Sequence, residues 1–132
     1  MQKYNKLLIL LKDVKKNPKD STTNFKLGIY WLSLDNLRNA LLHFKISIDN
    51  DKKNSKYWLY YLFTLFKIND TKTLKESIAN LKKLNLKINF EEIYNLHLNF
   101  SEIDKFLLNY INFTGYYLSN KFKITNLTNE RI

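Results

Sequence analysis

Residues 17–51 read Asn17-Pro-Lys-Asp-Ser-Thr-Thr-Asn-Phe-Lys-Leu-Gly-Ile-Tyr-Trp-Leu-Ser-Leu-Asp-Asn-Leu-Arg-Asn-Ala-Leu-Leu-His-Phe-Lys-Ile-Ser-Ile-Asp-Asn-Asp51, and this stretch decides the fold. Two amphipathic helical patterns lie back to back in it, joined at Leu34-Asp35-Asn36. Leu27-Gly28 lies on the first, and Ala40 and Phe44 lie on the second. Gly28 and Ala40 are small, as residues must be where two antiparallel helices cross closely, and larger neighbours fill the flanks. Ala40→Leu is therefore expected to overpack the crossing. Gly28→Ala is expected to be milder, because alanine is the better helix former.

The pattern returns further along the chain. Adding 34 to Asn24, Leu27, Trp31, Ala40, Phe44 and Ser47 gives Trp58, Tyr61, Leu65, Leu74, Ile78 and Leu81, all apolar or aromatic. Gly28 and Ala40 map to Leu62 and Leu74, so the second copy lacks the small residues and is expected to cross more loosely. Subtracting 34 from Lys52 gives Pro18, and the first helix then reads as the second half of a leading unit. The Leu27/Gly28/Ala40/Phe44 set, its period and the proline position resemble the tetratricopeptide repeat, a helix-turn-helix unit of the same period. The resemblance covers 1–86. It implies an all-α fold, a right-handed solenoid of antiparallel helix pairs. The expected organisation is one domain over 1–120: a half-repeat 1–18, a repeat 19–52, a degenerate repeat 53–88 and capping helices 89–120. A flexible tail, 121–132, follows.

Helix periodicity sets the bounds outside the quoted stretch. Tyr4, Leu7, Leu8, Leu11 and Val14 follow helical spacing, predicting a helix from Gln2 to Lys16 that Asn17-Pro18 stops. Ser21 or Thr22 is expected to cap the second helix, Asp35 or Asn36 the third and Ser55 the fourth, with Thr71 or Thr73 starting the fifth. The fourth, with Tyr57, Trp58, Tyr60, Tyr61, Phe63 and Phe66, is apolar all round and is expected to be buried between neighbours. Beyond Lys87, Phe90 to Leu98 suggest a shorter helix, and Ser101 begins another with Ile103, Phe106, Leu107, Tyr110 and Ile111 on its apolar side.

Composition narrows the function. The 132 residues hold no cysteine, so disulfides and thiolate metal sites are excluded. No stretch has the length of a membrane span or a signal h-region, and cytoplasmic residence is the expectation, with no membrane partner. The formal net charge is +10, which raises a nucleic-acid reading. Against it, only Arg38 and Arg131 are arginines, and the Lys, Asn, Ile, Tyr and Phe richness follows A/T-rich codons.

His43 and His97 are too few and too isolated for a metal site. Asp49-Asn50-Asp51 lacks the glycine and closing glutamate of a calcium loop. Glu91 and Glu92 are adjacent and point to different faces. There is no glycine-rich phosphate loop. No enzyme, cofactor or metal is expected within this chain.

The resemblance implies that the first helix of each repeat lines a concave groove. Thr22, Phe25, Ile29, Leu32 and Ser33 fall on that face, followed by Lys56, Leu59, Phe63, Phe66 and Lys67. Chaperone-tail binders of the family place Lys and Asn where this chain has Phe25 and Ile29, so an acidic C-terminal tail does not fit. The expected function is a protein-interaction scaffold holding an apolar helical or extended segment against Phe25, Ile29, Leu32, Leu59, Phe63 and Phe66, with Lys56 and Lys67 at the margin. That segment comes from a partner protein or from the chain's own Phe100 to Tyr117 region. Residues 56–67 also resemble the repeat segment preceding the catalytic domain of bacterial tetratricopeptide-containing glycosyltransferases and sulfotransferases, which implies a substrate-presenting module as the alternative. A basic nucleic-acid-binding repeat is the second alternative.

Overall fold

The computed structural model describes residues 2–88, 102 and 105–108. The described residues are helical with short turns, and no strand occurs among them. Five helices follow one another: α1 Gln2–Lys16, α2 Ser21–Ser33, α3 Leu37–Asn50, α4 Ser55–Lys67 and α5 Thr71–Lys83. Each packs on the next along the chain, most extensively within the α2–α3 pair. Residues 102 and 105–108 are also helical. The expected capping helices and tail otherwise lie outside the described residues.

The period of the sequence is present in the backbone as well. Asp20 and Asn54 cap α2 and α4, and Asn36 and Asp70 cap α3 and α5, each through its side-chain oxygen. The caps of α2 and α4 thus lie one residue before the hydroxyl residues expected there, while α5 starts at Thr71 as expected. At α2 the physical reason is acceptor strength. The Asp20 carboxylate accepts from both the backbone N–H (2.8 Å) and the hydroxyl (2.7 Å) of Thr23, which a serine at 21 cannot match. These bonds hold the Asp20 and Asp70 carboxyls below their ordinary pKa, the threonine hydroxyl being the largest cause in both.

The helices end alike too. Asp35, Asn69 and Asn85 take positive φ (60°, 64° and 53°) just past α2, α4 and α5. The N–H of the following residue then reaches back to the carbonyl five residues earlier: Asn36 to Trp31 (2.9 Å), Asp70 to Leu65 (3.0 Å) and Leu86 to Leu81 (3.1 Å). Asp and Asn tolerate this left-handed step better than other non-glycine residues, and it satisfies carbonyls the helix leaves open.

Burial repeats with the same spacing. Leu10, Phe44 and Ile78 are buried at equivalent positions of α1, α3 and α5, and so are Ala40 with Leu74 and Ser47 with Leu81. Asn24 and Trp58, also equivalent, each donate to the carbonyl six residues earlier, that of Pro18 (3.0 Å) and that of Lys52 (2.8 Å). Where α3 buries Ala40 and Ser47, α1 has Lys6 and Asp13, both exposed. Residues Tyr57 through Leu65 of α4 are buried without a break, which follows from its apolar perimeter.

Gly28 meets a ring. A Cβ on Gly28 would collide with Cε1 and Cδ1 of Phe44, which is itself fully buried. The ring also packs on Phe25 (5.7 Å between centroids) and Tyr60 (5.9 Å), so it cannot swing away. This reverses the expectation that Gly28→Ala is mild. The overpacking cost of about 1–3 kcal/mol exceeds a propensity gain of about 1 kcal/mol. Gly28→Ala and Ala40→Leu are both expected to lower the urea midpoint by a similar amount. An unchanged midpoint for Gly28→Ala would show that the Phe44 ring has room to move.

Candidate functional site

The residues expected to line one face separate into two aromatic groups and a covered middle. At one end, Phe25 of α2 is half-buried and stacks tilted on Tyr57 (4.8 Å) and edge-on to Tyr60 (5.2 Å) of α4. The exposed Lys56 holds its Nζ 5.6 Å from the Phe25 ring centroid, a cation–π distance. Ile29 and Leu32, on the same helix as Phe25, are partly buried against the core. Thr22 and Ser33 are exposed, and the Ser33 hydroxyl donates to the Tyr30 carbonyl.

At the other end stand Phe63, Phe66 and Lys67. Phe106 packs edge-on to Phe63 (5.4 Å) and tilted on Phe66 (5.6 Å). Phe63, Phe106 and Leu107 have no exposed surface, and Leu59 between the two ends is 1% exposed. Lys67 Nζ lies 5.9 Å from the Phe63 centroid, 3.5 Å from Asp35 Oδ1 and 3.9 Å from Glu102 Oε2. The chain's own Phe106 therefore covers Phe63, and of the expected aromatics only Phe25 and Phe66 retain partial exposure. Lys56 is exposed and Lys67 only partly so.

Tyr57 and Tyr60 belong to the first group and were not among the residues expected there. Their spacing of three, straddling Leu59, is the signal that puts them on a face shared with Phe25. Glu102 and Phe106, four residues apart in sequence, both reach α4, one at Lys67 and the other at Phe63.

His43 has a structural partner. Asn24 is fully buried and spends its amide N–H groups on the carbonyls of Pro18 (3.0 Å) and Asp20 (2.8 Å). Its Oδ1 is left as an acceptor, so His43 Nδ1, 2.9 Å away, carries the hydrogen that it donates. His97 lies outside the described residues. Among the described residues no three His, Asp or Glu side chains gather as a metal set, and no helix is long and apolar enough to cross a membrane. No family model matches the chain, and no curated protein or solved structure matches it either.

Burial holds the His43 pKa below its ordinary 6.5. The folded state then binds fewer protons than the unfolded one between the lowered value and 6.5, so stability rises with pH across that window. The contribution is complete above the unfolded pKa and is lost as pH falls through it toward the folded value. Urea titrations between about pH 7.5 and pH 5 are expected to show a falling midpoint. His43→Gln, which keeps an N–H donor but does not titrate, is expected to flatten the profile over that range. An unaltered slope in the variant would assign the dependence to other groups.

Proposed function

We propose that the chain is a tetratricopeptide-like solenoid acting as a protein-interaction scaffold, with binding rather than catalysis as its activity. The segment it takes is an apolar helix with an acidic residue one turn before an aromatic one. The observation that carries this reading is the way Glu102 and Phe106 lie on the protein itself. Phe106 fills the space beside Phe63 and Phe66 while Glu102 approaches Lys67, so the surface has the shape and charge for such a segment. Phe25, Tyr57, Tyr60 and Lys56 repeat the combination of aromatic faces and one lysine on the other side of Leu59, with Phe25 half-buried and Lys56 exposed. A bound helix gains there from ring burial and from a charge-assisted contact at the margin.

The test uses a synthetic peptide with the sequence of residues 100–112 and the full chain. In the wild type the Phe63 side is already covered, so the peptide competes with a tethered copy of itself. Phe106→Ala removes that competitor. It is expected to cost about 3–5 kcal/mol of stability, and the peptide is expected to restore part of it by binding the folded state. Affinity for the variant should exceed that for the wild type by about tenfold or more. Lys67→Glu in the same background should weaken it. Failure of the peptide to raise the urea midpoint of Phe106→Ala would overturn the reading.

A further inference from the structure

A second surface lies on α1 and α3, the helices that bear none of the expected groove residues. Leu8 on α1 and Leu42 on α3 occupy equivalent positions of successive units, and each is 56% exposed. Leu11, three residues after Leu8 and so on the same side of α1, is 43% exposed. The inward positions of α1 are other residues: Leu10 is buried, and Leu7 and Val14 are partly so. The three leucines are thus outside the core, and Leu8 and Leu42 hold matching places on two successive units.

The charged residues one turn from them along their helices are basic. Lys12 lies one turn after Leu8, Lys15 one turn after Leu11, and Arg38 one turn before Leu42, all exposed. Lys45 and Asp49 follow on α3, and they pair with each other at 2.7 Å. Helix α1 carries five lysines and a single acidic residue, Asp13. Asp13 is five residues from Leu8 and two from Leu11, which turns it away from the strip.

We infer that the Leu8/Leu11/Leu42 strip of α1 and α3 docks an amphipathic helix of another protein whose apolar stripe is bordered by Asp or Glu. A second copy of this chain does not suit the strip, because self-pairing brings Lys12, Lys15 and Arg38 against their own kind on molecules of net charge +10. A lipid surface suits it less than a helix does. The inward turn of Leu7, Leu10 and Val14 leaves too narrow an outward apolar face for insertion, and no exposed aromatic borders it among the described residues. A ridge of leucines one turn apart is what a facing helix packs between its own side chains. This inference stands on the exposure and charge of α1 and α3 and does not depend on the aromatic surface of α2 and α4.

The probe is a synthetic helical peptide with leucines at one-turn spacing and glutamates on both borders, titrated into the full chain. Leu8→Ser/Leu42→Ser changes only exposed positions and is expected to keep the helical circular dichroism of the wild type. It should weaken peptide binding by about tenfold or more. Lys12→Glu/Arg38→Glu should weaken it comparably and remove most of its salt dependence. Lys72→Ser, exposed on α5 and part of neither surface, should leave affinity within about twofold. Binding of the peptide that survives both strip variants would overturn the inference, as would no binding to the wild type. Leucine-dependent self-association in sedimentation would overturn it in favour of a second copy. Leucine-dependent binding to phosphatidylserine vesicles without peptide binding would overturn it in favour of a membrane.

Discussion

Phe44 lies where α2, α3 and α4 meet, and there is room for its ring because residue 28 has no side chain. The other contacts follow from that placement. With the ring over Gly28, α3 sits close enough for the Ser47 hydroxyl to reach the Ser21 carbonyl at 2.9 Å and for His43 to reach Asn24. On its far side the ring meets Tyr60, which brings α4 and its aromatics within reach of Phe25. Close packing makes this arrangement stiff, because a buried ring held by two other rings has no alternative rotamer to take up.

The second unit reaches the same geometry by different chemistry. Residue 24 is a buried Asn that ties α2 to the preceding turn and to α3, whereas its counterpart Trp58 ties α4 to the preceding turn through its indole N–H. One position thus keeps its task while its side chain changes from polar to aromatic. The difference has a cost. Asn24 must make all its hydrogen bonds inside the protein, since an unpaired buried amide costs about 1–3 kcal/mol. Trp58 has only one N–H to satisfy and gains from ring burial. The first unit is accordingly more dependent on its partners, and the second more on its apolar volume.

The helix bounds and the repeat period are legible in the sequence, because both rest on spacing alone. Caps are legible to within a residue. At Asp20-Ser21, Asn54-Ser55 and Asp70-Thr71 two competent cap residues stand side by side, and residue preference separates them only weakly. The burial of α4 is legible in its apolar perimeter, and the 100–117 region is one of the two covers the sequence offers for the face of Leu59 and Phe63, but which residue covers Phe63 is not legible. Leu59 and Phe63 have the right offsets for an open face, and what covers Phe63 is Phe106, more than a full repeat further along the chain. No local pattern encodes a contact at that separation. The conflict at Gly28 is hidden for a similar reason: helix propensity is a property of one residue, and the obstacle is a ring on the next helix.

Equivalent positions also show how the chain treats the outer side of α1. On α3 the residues facing α2 include His43 and Ser47, with Ala40 buried nearby. On α1 the same places hold Ile9, Lys6 and Asp13, all exposed. An ordinary apolar helix laid there would bury a lysine and an aspartate, and burying an unpaired charge costs several kcal/mol. A single isoleucine between them does not offset that, since full burial of such a side chain contributes about 1.5–3 kcal/mol. The charged positions therefore make that face a poor seat for an apolar helix. The same reasoning separates Ile9 from Leu8 and Leu11. Ile9 stands alone between charges and invites nothing. Leu8 and Leu11 lie one turn apart on α1, and Leu8 has an exposed counterpart in Leu42 on α3, so this apolar surface is shared by two residues of one helix and recurs in the next unit.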